Sequence, residues 1–210
     1  MILCNKLPSC NQAFIGRKDE IKAIASHLSN QSVLFITGMA GIGKSEVAKA
    51  YAQKNRKKYT NIIYLYYTGN LRKDIANLTF ADDSVEMNEE VRFQNHYKVM
   101  QRLHTDTLLI LDNFNVLPMD EPFLKELMKN DMQLLITSRC KLKNYDSIEI
   151  KELDKDKELK ELFYKHCPSA KRDSDSVSAI IEEVNCHTLT VCMAALTLEV
   201  SGMEPEELLQ

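Results

Sequence analysis

An apolar run, Val33-Leu34-Phe35-Ile36-Thr37, hands over to the loop Gly38-Met39-Ala40-Gly41-Ile42-Gly43-Lys44-Ser45, and an amphipathic segment follows. Few folds accommodate that succession. An uninterrupted, partly β-branched run suits a strand buried on both faces, as in a parallel sheet. The loop matches G-x4-G-K-[ST], in which glycines let the backbone wrap a polyphosphate and aim its N–H groups inward. The helix that starts there adds the positive end of its dipole. The chain has six glycines, and three fall in this loop. Lys44 is placed to reach the β- and γ-phosphates. The Ser45 hydroxyl is placed to ligate Mg²⁺, and Glu46 opens the helix behind it.

The rest of the chain alternates strands and helices. Helices are expected over Arg17–Leu28, Lys44–Lys57, Asn88–His104 and Pro122–Lys129. Strands are expected over Asn61–Tyr67, Thr107–Leu111, Met132–Thr137 and Ser147–Ile150. Between Gly69 and Ser84 the pattern is weak. Such alternation implies an α/β fold, a five-stranded parallel sheet flanked by helices with right-handed crossovers. After Ile150 the texture becomes helical: Asp154–His166, Asp173–Asn185 and Thr188–Val200. A boundary near Lys151 would give an α/β nucleotide-binding domain, 1–150, and a small all-α domain, 151–210. Glu204-Pro205-Glu206-Glu207 begins a further helix that stops at Gln210, as though the natural chain continued.

Two more strand ends carry chemistry. Asp112 closes the strand Thr107–Leu111, where a carboxylate can hold Mg²⁺ partly through its water shell. Asn113 follows it. Asn can orient a water but cannot take its proton, so hydrolysis should be slow. Arg139, in Thr137-Ser138-Arg139, stands at the carboxyl edge of the sheet, where its fixed charge can meet a γ-phosphate.

The totals narrow the function classes. The chain of 210 residues is 44% hydrophobic and 27% charged, which is globular composition. Its net charge of −3 argues against a nucleic-acid-coating surface. No stretch approaches the ~20 apolar residues of a membrane span, and Met1 to Pro8 lacks the form of a secretion signal. The six cysteines, Cys4, Cys10, Cys140, Cys167, Cys186 and Cys192, contain no Cys-x-x-Cys pair. Reduced thiols in a cytoplasmic protein fit that pattern.

Taken in order, Phe14-Ile15-Gly16-Arg17-Lys18-Asp19-Glu20, the loop Gly38–Ser45, Leu109-Ile110-Leu111-Asp112-Asn113 and Leu135-Ile136-Thr137-Ser138-Arg139 resemble the NB-ARC branch of the STAND signalling ATPases, relatives of AAA+ proteins. The resemblance spans nearly the whole chain. It implies ATP/ADP with Mg²⁺, and a sheet with the Thr137 strand between the loop strand and the Asp112 strand. It further implies that Phe14 to Arg17 cover the adenine and that the C-terminal helices lid the nucleotide. The family's next domains, a winged helix and sensor, would lie beyond Gln210. Its usual cycle is an ADP-locked resting state, with ATP driving opening and homo-oligomerisation. Where that family carries Gly-x-Pro against the base, this chain reads Cys186-His187-Thr188-Leu189-Thr190, so His187 or Leu189 lines the pocket or the segment caps a helix. Two other readings of the loop are an AAA+-type DNA-associated ATPase and a P-loop kinase. The acidic balance opposes the first, and the few arginines after the fourth strand oppose the second.

Overall fold

The computed structural model describes residues 7–84, 86–140 and 142–209. Met1 to Lys6, Cys4 among them, and Gln210 lie outside the described residues. The strands are β1 (Val33–Thr37), β2 (Asn61–Tyr66), β3 (Thr107–Asp112), β4 (Gln133–Thr137) and β5 (Ser147–Glu149). They form one sheet in the order β2-β3-β4-β1-β5, every pair parallel. The strand ending at Thr137 therefore lies between the loop strand and the Asp112 strand. Ile36 pairs with Thr137, and Leu109 with Leu134.

Both faces of the sheet are covered, which is why β1, β3 and β4 are apolar without interruption. Phe35, Leu109, Leu111, Leu134 and Ile136 face one way. They pack against α3 (Leu71–Ala76), α4 (Glu89–Met100) and α5 (Pro122–Leu127) through Leu71, Ile75, Phe93 and Leu124. Leu34, Ile36, Leu108, Ile110 and Leu135 face the other way. They meet α1 (Lys18–His27) and α2 (Lys44–Lys54) through Ile24, Val47 and Tyr51. Alternation with period two thus sorts one continuous apolar run into two cores.

After β5 the chain forms a π turn, Lys155–Leu159, then α6 (Lys160–His166), α7 (Ser174–Glu183) and α8 (Thr188–Ser201). Leu159, Phe163, Ile181, Val191 and Leu198 build a third apolar cluster, which Ala13 and Ile15 join from the N-terminal segment. α8 is apolar nearly all round. Val191, Ala195 and Leu198 face this cluster, while Leu189, Met193, Leu196 and Val200 are exposed.

Three elements differ from the sequence reading. The weak stretch after Gly69 contains α3, whose first turn is capped by the Asn70 side chain accepting from the Lys73 N–H at 3.1 Å. The helix expected from Asp154 opens as the π turn. The residues around Pro205 form a 3₁₀ turn, Pro205–Leu209, instead of an α-helix. Among the described residues, no helix is long and apolar enough to cross a membrane.

Candidate functional site

The carboxyl ends of β1, β3 and β4 converge. β1 runs into the Gly38–Ser45 loop, whose shape depends on missing side chains. At Gly38, φ is +144°, and a Cβ would stand 2.7 Å from the Ile150 carbonyl oxygen. At Gly41, φ is +73°, and a Cβ would stand 2.7 Å from the His187 ring. Gly43, also left-handed, is the N-cap of α2, so the loop ends on the positive end of that helix.

Lys44 folds back over the loop. Its Nζ donates to Gly38 O at 2.9 Å and to Met39 O at 2.7 Å. Burial holds the ammonium below its usual pKa, the Arg139 charge adds to this, and Asp112 opposes it. The group is thus held in the protein by two carbonyl dipoles, close to where phosphate oxygens would compete for it. Beside it, Ser45 Oγ donates to Asp112 Oδ1 at 2.7 Å, and Thr137 Oγ1 donates to the same oxygen at 2.5 Å. Tyr64 Oη donates to Asp112 Oδ2 at 2.5 Å. A carboxylate and a hydroxyl at this separation are hard oxygen donors, the set Mg²⁺ takes when phosphates and waters complete its shell.

Asn113 has φ +66°. Its N–H donates to Thr137 Oγ1 at 2.9 Å. Its Oδ1 accepts from Asn115 Nδ2 at 2.5 Å, and Asn115 Oδ1 accepts from the Arg139 N–H at 2.9 Å. This chain of amides ties the end of β3 to the turn after β4. A cavity of about 250 Å³ opens here, lined by Ala40, Lys44, Ser45, Asn113, Asn115 and Arg139 among others.

A second, more apolar cavity of about 150 Å³ lies on the other side of the loop. Phe14, Ile15, Ile42 and Gly43 from the first part of the chain line it together with Leu162, Leu189 and Cys192 from the C-terminal helices. Arg17 borders it, but its guanidinium turns inward, to Lys151 O at 2.7 Å, Ile42 O at 3.2 Å and Glu20 Oε1 at 3.0 Å. It braces the back of the loop against the start of the helical segment. Glu46 works similarly: its carboxylate accepts from the Asn11 N–H at 2.7 Å and from Lys49 Nζ at 2.8 Å. Burial alone would raise its pKa, but these bonds and the Lys49 charge hold it below the usual carboxylate value.

Of the residues the sequence singles out, Ala40, Gly41, Gly43, Lys44, Ser45, Glu46, Asn113 and Arg139 line the first cavity, with Asp112 beneath it. Phe14, Ile15, Arg17, Ile42 and Leu189 line the second. Two stand apart. Met39 is 55% exposed. Gly16 faces a wider groove, with the Glu158 carboxylate against its α-carbon. That groove has a volume of about 870 Å³. Asp19, Glu20, Glu152, Glu158 and Glu161 outnumber Arg17, Lys18 and Lys165 along it. A field of that sign repels polyphosphate, so the two smaller cavities are the better nucleotide site despite their size.

Two contributors escape sequence reasoning, and a third takes a role other than those expected of it. Tyr64 reads as an ordinary strand residue, and Asn115 as a turn residue. His187 occupies the N-cap of α8, but its ring does not cap: Nε2 meets Ala40 O at 2.6 Å and Nδ1 meets Thr190 Oγ1 at 2.8 Å.

No family model matches the chain, and no curated protein matches it in sequence. Solved structures do resemble it. The Walker-type ATPase PABY2304 of Pyrococcus abyssi superposes with a TM-score of 0.68 at 10% identity, over 96% of this chain and 73% of that one. The S. cerevisiae Hsp104–ADP complex gives 0.59 at 15% identity, over 93% of this chain and 32% of that one. AMPPCP-bound DnaA from Aquifex aeolicus gives 0.56 at 18% identity, over 92% and 65%. Likeness at such identities is likeness of fold, and the fold of this chain is that of the P-loop ATPases.

Proposed function

We propose that the chain binds ADP or ATP with Mg²⁺ at the Gly38–Ser45 loop and serves as a nucleotide-dependent switch of the NB-ARC type. One observation carries the reading. Lys44, Ser45, Asp112 and Arg139, which come from three strand ends far apart in sequence, meet around one cavity at the N-terminus of α2. In this reading the phosphates lie in that cavity and the base in the apolar one, so the nucleotide straddles the loop. Phe14, Ile15, Ile42 and Leu189 enclose the base. Residues 151–210 act as a lid hinged near Lys151.

A bound Mg²⁺ supplies charge neutralisation on the β- and γ-oxygens. The chain's own part is positioning. Lys44 exchanges two carbonyl partners for phosphate oxygens, and Arg139 meets the terminal phosphate. Asn113, held by Asn115, orients a water without deprotonating it, so turnover is slow and the bound state is long-lived. ADP keeps the lid seated through His187 and Leu189. ATP favours opening and assembly of copies. Moving such an equilibrium from 1:99 to 99:1 requires roughly 5.5 kcal/mol of differential binding, a magnitude within reach of several charge-assisted contacts to one γ-phosphate.

Calorimetry on the Lys44→Ala variant tests this. ADP and ATP affinity should fall by about 100-fold or more, equivalent to ~2.7 kcal/mol for a lost charge-assisted contact. The circular dichroism of the variant should remain that of the parent. Unchanged affinity would end the proposal.

A further inference from the structure

Asp112 is 3% exposed and receives three hydroxyl hydrogens, from Ser45 and Thr137 on Oδ1 and from Tyr64 on Oδ2. The three donors differ in what a cation would ask of them. Ser45 Oγ can ligate through a lone pair while its hydrogen stays on Oδ1. Thr137 also accepts the Asn113 N–H and is committed to the β3–β4 junction. Tyr64 approaches from the neighbouring strand β2, opposite Ile110 in the register, with its ring packed on the α2 side of the sheet. Among the described residues, its hydroxyl is the hydrogen-bond donor to Oδ2. The terminal torsion of an aspartate is broad, and bonds to Oδ1 alone leave the carboxylate able to swing about that oxygen, so the partner on Oδ2 is what fixes its plane.

We propose that Tyr64 is a positioning residue for the divalent cation: it pins Asp112 Oδ2 so that Oδ1 stays presented beside Ser45 Oγ. This inference rests on the nucleotide reading of the site. The phenol is suited to the task because it stays protonated. Burial pushes its pKa far above the ordinary tyrosine range, and the Asp112 bond and charge, with Glu46 and Tyr66 nearby, push in the same direction. Outer-shell partners of this kind typically change metal affinity 10–100-fold when removed.

The test is a titration of free Mg²⁺ against ADP binding, followed by calorimetry, in the parent, Tyr64→Phe and Tyr66→Phe. Tyr66, more than half exposed on the same strand, controls for the loss of a phenol. Tyr64→Phe should raise the Mg²⁺ midpoint about 10-fold, while its ADP affinity in EDTA and its thermal midpoint stay near those of the parent. Tyr66→Phe should match the parent throughout. An unshifted midpoint in Tyr64→Phe overturns the inference. So does an equal loss of ADP affinity with and without Mg²⁺, which would mark a packing role. Mg²⁺-independent ADP binding by the parent also overturns it, yet leaves the nucleotide reading intact. A parent that binds no ADP under either condition removes the nucleotide reading itself.

Discussion

At the scale of single residues, Gly41 is where the loop and the helical segment have the least room. A methyl group there would lie 2.7 Å from His187 Cε1 and 2.9 Å from Leu189 Cβ, at a φ of +73°. An L-residue in that conformation costs roughly 1–2 kcal/mol before any clash. The contact it would break is specific, since His187 holds Ala40 O and Leu189 walls the apolar cavity. Gly41→Ala is therefore expected to push the first turn of α8 off the loop and leave the sheet untouched. Hydrogen exchange should show faster amides over the start of α8 and unchanged amides in β1 and β3. Unaltered exchange at α8 would mean that the helix does not depend on its seat. Lys44 carries the opposite kind of constraint. It is a buried ammonium whose pKa is lowered first by burial, and its hold on two loop carbonyls is satisfied without any ligand. Removing it should therefore change binding far more than folding.

At the scale of elements, α4 is fastened to the preceding loop by an ionisable contact. His96 is fully buried. It meets Asp83 Oδ1 through Nε2 at 2.7 Å and Ile75 O through Nδ1 at 2.9 Å, with the Phe80 ring against it. Burial by itself would raise the Asp83 pKa. The bonds from His96 and the Phe80 N–H, with the charges of His96 and Arg92, bring it below the usual value. A depressed carboxylate stabilises the fold above its unfolded pKa of about 3.9 and loses that contribution as pH falls through the folded value. Asp83→Asn should therefore lower the thermal midpoint at pH 7, and the gap to the parent should narrow as pH falls below about 4. A constant gap across that range would assign the effect to packing. The same region explains what the sequence could not disclose. β1, β3 and β4 were legible because burial on both faces leaves unbroken apolar runs such as Leu108-Leu109-Ile110-Leu111. α3 has only six residues, and its inward pair, Leu71 and Ile75, is separated by Arg72, Lys73 and Asp74. One turn and a half is too short for a period to emerge, though Asn70 ahead of it was a legible cap. α8 was legible as a helix, but not its orientation. Apolar on both faces, it has no amphipathic stripe to say which side is inward.

At the scale of the whole molecule, the loop sequence located the candidate phosphate site but only part of its surroundings. Pattern matching finds residues that neighbour one another in the chain, such as Gly38 to Ser45. Tyr64 and Asp112 are 48 residues apart, and His187 and Ala40 are 147 apart. Both pairs exist only through the sheet order and the return of α8 over the loop. The apolar cavity has the same origin, lined by Phe14 and Ile42 together with Leu162 and Leu189 from the C-terminal helices. A ligand that fills it must touch both the sheet and the helices, so its binding energy should be shared between them. With free ADP at 100 times its dissociation constant, linkage adds about 2.7 kcal/mol to stability. For a chain of this size each kcal/mol moves the midpoint roughly 2–4 °C, so a rise of about 5–11 °C is expected in a thermal scan. Amides in α6 and α8 should gain protection together with those of β1. Pyrophosphate occupies only the loop side, and should protect β1 and α2 while leaving α8 near its unliganded exchange. If ADP and pyrophosphate protected the same amides, the apolar cavity would not be holding the base, and the coupling between sheet and helices would have to run through Ala40 and His187 alone.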